Sequence, residues 1–137
     1  MGGTRHVAVI VAAVVWFAIG AGWYTLLAVP WLAGLGKTAE QVHKDAAGTV
    51  NPMIVGFVAI LVMCYALAWL IGRLDARSLA AGAITGITVA VGFVAASIAL
   101  NYGFEGRGLT LWLINAGYAL VGLTVAGAII GGWSKRK

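Results

Sequence analysis

Four long apolar runs constrain what this chain can fold into more than any other feature. The first extends from Val7 to Val29 without a charged residue, and each of the four is close to the ~20 residues that a transmembrane helix needs. Inside a bilayer no water is available to backbone N–H and C=O groups, so a helix is the form in which such a run can satisfy them. The sequence therefore predicts an all-α, integral membrane four-helix bundle.

Composition agrees with a membrane protein. Hydrophobic residues make up 62% of the 137-residue chain and charged residues 9%, whereas a soluble domain carries about 25% charged residues. We expect a single membrane domain over residues 1–137, with spans at about 7–29, 52–72, 79–101 and 109–132 and an outer loop at 30–51. A signal peptide is the alternative for the first run, because Arg5 would supply its basic start, but the apolar part of a signal peptide is only about 7–15 residues long.

Polar residues predict where the helices begin and end. Thr38-Ala39-Glu40-Gln41 matches a capping box, in which the Thr hydroxyl and the Gln side chain each accept from the other's backbone N–H. This box predicts a short interfacial helix through Ala47 within the outer loop. Further predicted helix starts are Asn51 with Pro52, and Ser78, and the predicted stops are Pro30, Gly48 and Gly72.

The distribution of lysine and arginine predicts the orientation. Cytoplasmic loops carry an excess of these residues, so the side with more of them is expected to face the cytoplasm, and both termini lie on that side. One side holds six, Arg5, Arg73, Arg77, Lys135, Arg136 and Lys137, and the other holds three, Lys37, Lys44 and Arg107. Aromatic residues near the ends of the runs are expected to anchor the helices at the membrane interface: Trp23, Tyr24, Trp31, Trp69, Trp112 and Trp133.

The stretch from Asn101 to Tyr118 holds most of the polar side chains near membrane depth. On the fourth helix Leu111, Asn115, Tyr118 and Gly122 share a face, and on the third Val94, Ser97 and Asn101 share one that Glu105 joins if the helix continues. A hairpin that brings these faces together predicts a polar cluster that either locks the hairpin or lines a ligand site. Its members are Asn101, Tyr102, Glu105, Arg107, Asn115 and Tyr118.

Small residues spaced four apart predict close helix packing, because lipid removes the hydrophobic drive for association and favours backbone approach. The pattern fits a face between two subunits and equally fits packing within one subunit. The predicted packing residues are Gly82, Gly86, Gly92, Ala96, Gly127 and Gly131.

Chemistry-bearing motifs are scarce. The central part of each predicted span lacks Asp, Glu, Lys, Arg and His, which are the groups that proton-coupled transporters usually need. We expect His43 and Asp45 to be solvated loop residues and Cys64 to be a packing residue. We predict no catalytic residues, no metal site, no cofactor and no enzymatic activity. The net charge of +5 is scattered, which favours lipid headgroups over nucleic acid as the partner.

The string Asn-Tyr-x-Phe-Glu-x-Arg-x-Leu from Asn101, followed by Leu-Ile-Asn-Ala-Gly-Tyr, resembles the signature of the domain-of-unknown-function 1761 family. Gly20-Ala21-Gly22-Trp23-Tyr24 is similar to the end of that family's first helix. The resemblance implies a small bacterial four-span membrane protein, here of the inner membrane, and brings no activity. The chain departs from the family pattern at Thr25–Pro30 and at Ala119, where relatives often have histidine.

Two functional hypotheses follow. The first is a helix-packing and assembly module of unknown biochemical activity that forms homo-oligomers, because small residues recur and intramembrane charge is lacking. The second is a small channel or facilitator for a neutral or anionic solute, lined by Asn101, Asn115 and Tyr118. A small-molecule ligand stays unidentified in both.

Overall fold

Every regular element among residues 3–133, which are the residues that the computed structural model describes, is a helix. Four of the helical stretches are long and apolar enough to span a membrane: Arg5–Leu26, Pro52–Leu74, Leu79–Glu105 and Leu109–Trp133. The prediction of an all-α four-helix fold is therefore confirmed. The elements are α1 (Gly3–Leu26), α2 (Ala28–Leu35), α3 (Ala39–Ala47), α4 (Pro52–Leu74), α5 (Leu79–Val89), a π-helical segment (Ala90–Ala95), α6 (Ala96–Glu105) and α7 (Leu109–Trp133).

Helix α7 lies at the centre of the bundle. It packs most extensively against α5 and also contacts α1, α4 and α2, while α4 packs against α1. We call the end with α2, α3 and the turn at 106–108 the α3 end, and the end with the start of α1 and the loop at 75–78 the opposite end. The predicted basic residues Lys135, Arg136 and Lys137 lie outside the described residues.

Glycines hold α5 directly against α7. A Cβ atom on Gly82 would overlap the carbonyl group of Gly127, and one on Gly127 would overlap the carbonyl group of Gly82. A Cβ atom on Gly86 would likewise overlap the carbonyl oxygen of Leu123, and one on Gly131 would lie 2.8 Å from the Gly82 Cα. Such backbone contact is how small residues join helices in lipid. These four predicted packing glycines therefore hold a single subunit together.

The other two predicted packing residues lie outside this contact. Gly92 has no neighbouring atom within 4 Å of a Cβ built on it, and Ala96 is exposed. They face away from the bundle on the part of the helix that follows α5. Nothing within the described chain covers them, so they are free to contact lipid or another molecule.

The end of the first span differs from the expected stop at Pro30. Helix α1 ends at Leu26, Leu27 breaks the helix with φ −105° and ψ 17°, and α2 then begins at Ala28. Pro30 falls in the first turn of α2, where backbone N–H groups have no partner within the helix, so its missing N–H costs nothing. Gly36, with φ +69°, ends α2.

The predicted caps at Thr38, Asn51 and Ser78 are confirmed. The Thr38 hydroxyl accepts from the Gln41 N–H at 3.1 Å, and the Gln41 side chain accepts from the Thr38 N–H at 2.8 Å. The Asn51 side chain accepts from the N–H of Met53 at 2.9 Å, and the Ser78 hydroxyl accepts from that of Ala81 at 3.0 Å. Helix α3 ends at Gly48 as expected.

The stop at Gly72 is not observed, because α4 continues to Leu74 and ends at Asp75, which adopts the left-handed conformation with φ +54°. Asp is one of the few residues besides glycine that visit this region routinely. Gly72 instead provides space, since a Cβ atom there would lie 2.7 Å from an Arg5 guanidinium nitrogen. The glycine is explained by packing between α1 and α4.

The third span contains a feature that hydropathy does not predict. Its helix changes to π geometry over Ala90–Ala95 and then continues as α6 to Glu105, past the expected end at residue 101. The Trp112 indole N–H of α7 donates to the Ala95 carbonyl at 3.0 Å. π-Helical turns bend helices and often occur at functional sites. Before this segment the helix lies against α7, and after it α6 makes far fewer contacts with α7.

Candidate functional site

A cavity of about 1050 Å³ opens at the α3 end of the bundle. It lies between α1 and α2 on one side, α4 on a second and the α6–α7 hairpin on a third. On α4 it extends inward to Ile60, eight positions after Pro52, and on α7 to Tyr118, nine positions after Leu109. At 1.5 Å per residue the cavity is therefore about 12–14 Å deep, nearly half of a hydrocarbon core.

A chain of hydrogen bonds crosses the cavity wall and joins three helices. The Tyr24 hydroxyl of α1 donates to Asn115 Oδ1 of α7 at 2.6 Å, and Asn115 Nδ2 donates to the Tyr102 hydroxyl of α6 at 2.6 Å. Each member is partly buried. We call these three residues the polar network.

The polar network has capacity left for a ligand. The Tyr102 hydroxyl accepts from Asn115 and keeps its own hydrogen available as a donor, while the Tyr24 oxygen keeps lone pairs available as acceptors. Asn115 also has a second N–H. The wall can therefore offer donors and acceptors at the same time, all of them on neutral groups.

Tyr118 forms the inner part of the polar wall. Its hydroxyl donates to the Trp16 carbonyl at 2.8 Å, and its ring meets the Tyr24 ring edge-on with centroids 5.3 Å apart. A Cβ atom on Gly20 would overlap the Tyr118 hydroxyl, so the glycine in α1 makes room for this side chain. Below Tyr118 the Trp16 indole is buried and lies on Gly122.

The mouth of the cavity carries one pair of opposite charges. Arg107 Nε donates to Glu105 Oε1 at 2.7 Å, and the guanidinium lies over the Tyr102 ring with its carbon 5.6 Å from the ring centroid. The hydrogen bond to Glu105 raises the pKa of Arg107 above its ordinary value. Arg107 is therefore cationic at neutral pH and forms an ion pair with Glu105.

Asn101 does not belong to this site. Its side chain is exposed and makes no hydrogen bond with any residue that the structure describes. The face of α7 that holds Leu111, Asn115 and Tyr118 packs toward α1 and α2, as the contact between Gly34 and Leu111 shows. Tyr102, one position after Asn101, is the residue of α6 that reaches Asn115.

Tyr24 is the cavity residue whose position the sequence pattern missed. It was expected to be an interfacial anchor, and it instead joins the polar network. The only sequence signal was its position in Gly20-Ala21-Gly22-Trp23-Tyr24. This motif lies near the end of the first apolar run, at the same depth as the start of α7.

The other five expected anchors have three kinds of surroundings. Trp69 and Trp133 are exposed near the opposite end, where Arg73 lies over the Trp69 ring at 5.7 Å. Trp23 and Trp112 instead form hydrogen bonds inside the bundle, Trp23 to the Ile114 carbonyl at 2.9 Å. Trp31 packs edge-on against Tyr24 with ring centroids 5.6 Å apart.

A smaller cavity of about 290 Å³ lies beside the first, between α2 and α3. Tyr24 and Trp31 line both cavities, and His43 lines only the smaller one. Asp45 forms an ion pair with Lys37 at 2.7 Å between exposed side chains. Exposed pairs of this kind add little stability. His43 and Asp45 are exposed as expected, but both lie on helix α3 and not in a loop.

At the opposite end, the side chains of Arg5 and His6 also form hydrogen bonds between helices. An Arg5 guanidinium N–H donates to the Ala68 carbonyl at 2.8 Å, and His6 Nδ1 lies 2.9 Å from the Tyr65 hydroxyl. His6 thus gives the Tyr65 hydroxyl, in the middle of α4, a hydrogen-bond partner. Both contacts tie the start of α1 to α4 and lie far from the cavity.

The cavity combines apolar surface with a small number of hydrogen-bonding side chains. No cluster of three or more His, Cys, Asp or Glu side chains that could hold a metal ion occurs among residues 3–133. Cys64 is buried in the core away from the cavity. What the site offers is shape, apolar surface and neutral hydrogen-bonding groups.

Fold and site together define a membrane-type four-helix protein with a largely apolar cavity at one end, whose wall carries the polar network. Residues 7–131 match the family described as "Protein of unknown function (DUF1761)", and the chain belongs to this family. No curated protein and no solved structure matches the chain.

Proposed function

We propose that the protein binds a small solute in the cavity at the α3 end, as the binding step of a membrane carrier or facilitator. The observation that carries this proposal is the polar network of Tyr24, Asn115 and Tyr102 in the wall of a cavity of about 1050 Å³. Ligand sites are mostly apolar clefts of about 300–1,000 Å³ with a few placed polar groups. The cavity has this composition and size.

A carrier fits the geometry better than an open channel. Large side chains fill the bundle below the cavity, including the buried Trp16, Leu67 and Leu123. A solute that enters at the α3 end therefore meets a closed floor, and release on the other side needs a second conformation. Binding, and not catalysis, is what the neutral wall supports.

We further propose that the cavity faces outward, in a bacterial inner membrane with both termini in the cytoplasm. The support is the count of six basic residues on the side of the termini against three on the other. A reporter enzyme fused after Lys137 should be active only in the cytoplasm. Activity outside the inner membrane would contradict this orientation.

The binding proposal is tested by cysteine accessibility. Cys64 is the one cysteine of the chain, so Cys64→Ala gives a cysteine-free background. Ala21 is exposed in the cavity wall, whereas its neighbour Gly22 is exposed outside it. Maleimides react with the thiolate, which forms in water and not in lipid. An Ala21→Cys variant should react with a membrane-impermeant maleimide at least about ten times faster than Gly22→Cys. Equal rates would show that water does not enter the cavity, and the proposal would be lost.

Homo-oligomer formation is a second candidate, supported by a different observation. Gly92 and Ala96 present small residues on an exposed face of the helix after α5, while the other four predicted packing residues are used inside the subunit. In the cysteine-free background, an Ala96→Cys variant in native membranes should form disulfide-linked dimers when copper phenanthroline is added as the oxidant. Gly22→Cys, on another exposed face, is the control. Absence of dimers from Ala96→Cys, or equal yields from both, would remove this candidate.

A further inference from the structure

The walls of the cavity identify the class of molecule that fits it. We infer that the ligand is a neutral amphiphile, with a hydroxyl or carbonyl head and an apolar body, that enters from the membrane between α4 and α6. This inference rests on the proposed binding function and adds the ligand's charge, its polarity pattern and its route.

The charge of the cavity wall favours a neutral ligand. All polar side chains of the wall inside the mouth are neutral, and the single charged pair, Glu105 with Arg107, is closed on itself at 2.7 Å. A charged ligand that moved from water into the cavity would find no free partner of opposite charge there. An unpaired charge is strongly unfavourable at membrane depth. A neutral head meets no such penalty.

The free hydrogen-bonding groups of the polar network favour a hydroxyl or carbonyl head. The Tyr102 hydroxyl has a free hydrogen beside a second Asn115 N–H, and the Tyr24 oxygen has free lone pairs. A hydroxyl can use both kinds of group and a carbonyl can use the donors. The head of the ligand is therefore placed against the polar network.

The apolar surface opposite the polar network favours an apolar body. Opposite the network the cavity is lined by Phe17 of α1 and by Met53, Gly56 and Ile60 of α4, which follow one another along the same side of that helix. The Phe17 and Phe57 rings meet edge-on at 5.6 Å beside this wall. An apolar body of the ligand can lie along these side chains while its head reaches Asn115.

The packing of the helices gives the route. Helices α4 and α6 both line the cavity, yet they make hardly any contact with each other, whereas α4 packs against α1 and α7. The π-helical segment lies directly before α6, the part of this span that makes hardly any contact with α4. The gap between α4 and α6 is therefore a side opening toward lipid, and a water-soluble solute would not need it.

Photolabelling in lipid nanodiscs tests the inference. The probes are three twelve-carbon chains with a diazirine at the same carbon and a hydroxyl, carboxylate or trimethylammonium head. The alcohol should label cavity residues on α1, α4 and α7, at least about tenfold more than either charged probe, because the charged heads lack partners. Excess unlabelled dodecanol should compete.

Variants with matched controls make the test specific. A Cβ atom meets nothing within 4 Å at either Gly56 or Gly22, but only Gly56 lines the cavity. Gly56→Phe should abolish cavity labelling by the alcohol and Gly22→Phe should leave it unchanged. Tyr102→Phe keeps the ring but removes the hydroxyl, which has the free donor and also accepts from Asn115, and it should weaken competition by dodecanol about 2- to 10-fold.

The outcomes separate this inference from the proposed function. Equal labelling by the three probes, or alcohol labelling that Gly56→Phe does not reduce, would overturn the inference of a neutral amphiphile. If Ala21→Cys still reacts with the impermeant maleimide in that case, the cavity remains a site for a water-soluble solute. If neither labelling nor thiol reaction occurs in the cavity, both proposals fail.

Discussion

Replacing Asn115 by leucine should destabilise the bundle by the loss of two hydrogen bonds at once. Asn115 accepts from Tyr24 on α1 and donates to Tyr102 on α6. Hydrogen bonds between membrane helices contribute about 0.6 kcal/mol on average and up to about 1.7 kcal/mol. Two of them predict a loss of about 1.2–3.4 kcal/mol, and Tyr24→Phe, which removes one, about 0.6–1.7 kcal/mol.

A double-mutant cycle distinguishes the network from general damage. Once Asn115 is leucine, the Tyr24 hydroxyl has lost its partner, so Tyr24→Phe should cost about 0.6–1.7 kcal/mol less in that background than in the wild type. Tyr65→Phe is the control, because its hydroxyl contacts His6 at the opposite end. Its effect should add to that of Asn115→Leu within about 0.3–0.5 kcal/mol.

Steric trapping in bicelles measures these free energies of unfolding without leaving the bilayer. If the losses of unfolding free energy caused by the Tyr24 and Asn115 substitutions are additive, the hydrogen bond between these residues contributes nothing and the prediction is refuted. It is equally refuted if Tyr65→Phe couples to Asn115→Leu as strongly as Tyr24→Phe does, because the coupling would not be local.

Three further predictions concern the scaffold. Gly127→Ala should destabilise the protein by about 1–3 kcal/mol, because the new Cβ overlaps backbone of α5; Gly132→Ala, with ordinary contacts of 3.7 Å or more, should be nearly neutral in the same unfolding assay. Trp112→Phe removes the indole donor to the π-helical segment and should speed amide hydrogen exchange in that segment while leaving α4 unchanged. Arg5→Met removes a hydrogen bond to α4 and should lower the free energy of unfolding by about 1–3 kcal/mol; no change in that energy would contradict the contact.

The spans and their caps could be predicted from sequence because both depend on local chemistry. An apolar run of about 20 residues has one way to satisfy its backbone in lipid. The capping box at Thr38 and the N-cap at Asn51 need only neighbours within three positions, and both are observed. Pro30 was harder, because proline is tolerated in a first helical turn as well as after a helix.

The site was only partly predictable because it depends on how helices rotate about their axes. Asn101 and Tyr102 are adjacent, about 100° apart around the helix, and both of their faces are mixed in polarity. The glycine contacts of α5 and the π-helical segment set how α6 is rotated about its axis, and this rotation decides which of the two residues meets Asn115. Hydropathy does not reveal either feature. Tyr24 joins the site through contact between α1 and α7, which lie 91 positions apart at this bond.

The glycines show a second case in which the sequence pattern leaves the packing undecided. Spacing of four predicted close helix packing at Gly82, Gly86, Gly127 and Gly131, and each makes backbone contact. The same spacing at Gly92 and Ala96 gives an exposed face. Because both pairs have the same pattern, sequence alone does not separate contact inside a subunit from contact between subunits.

The central claim is that Asn115 faces a cavity that water can enter, and side-chain NMR tests it most directly. The chain has three asparagines, Asn51, Asn101 and Asn115, so ¹⁵N-asparagine labelling in nanodiscs gives few side-chain amide signals, and Asn115→Leu assigns the relevant one. We predict a magnetisation-transfer cross peak from water to the Asn115 amide, and a shift of that signal in Tyr102→Phe. A signal that contacts only lipid acyl chains, shows no transfer from water and ignores Tyr102→Phe would contradict the account.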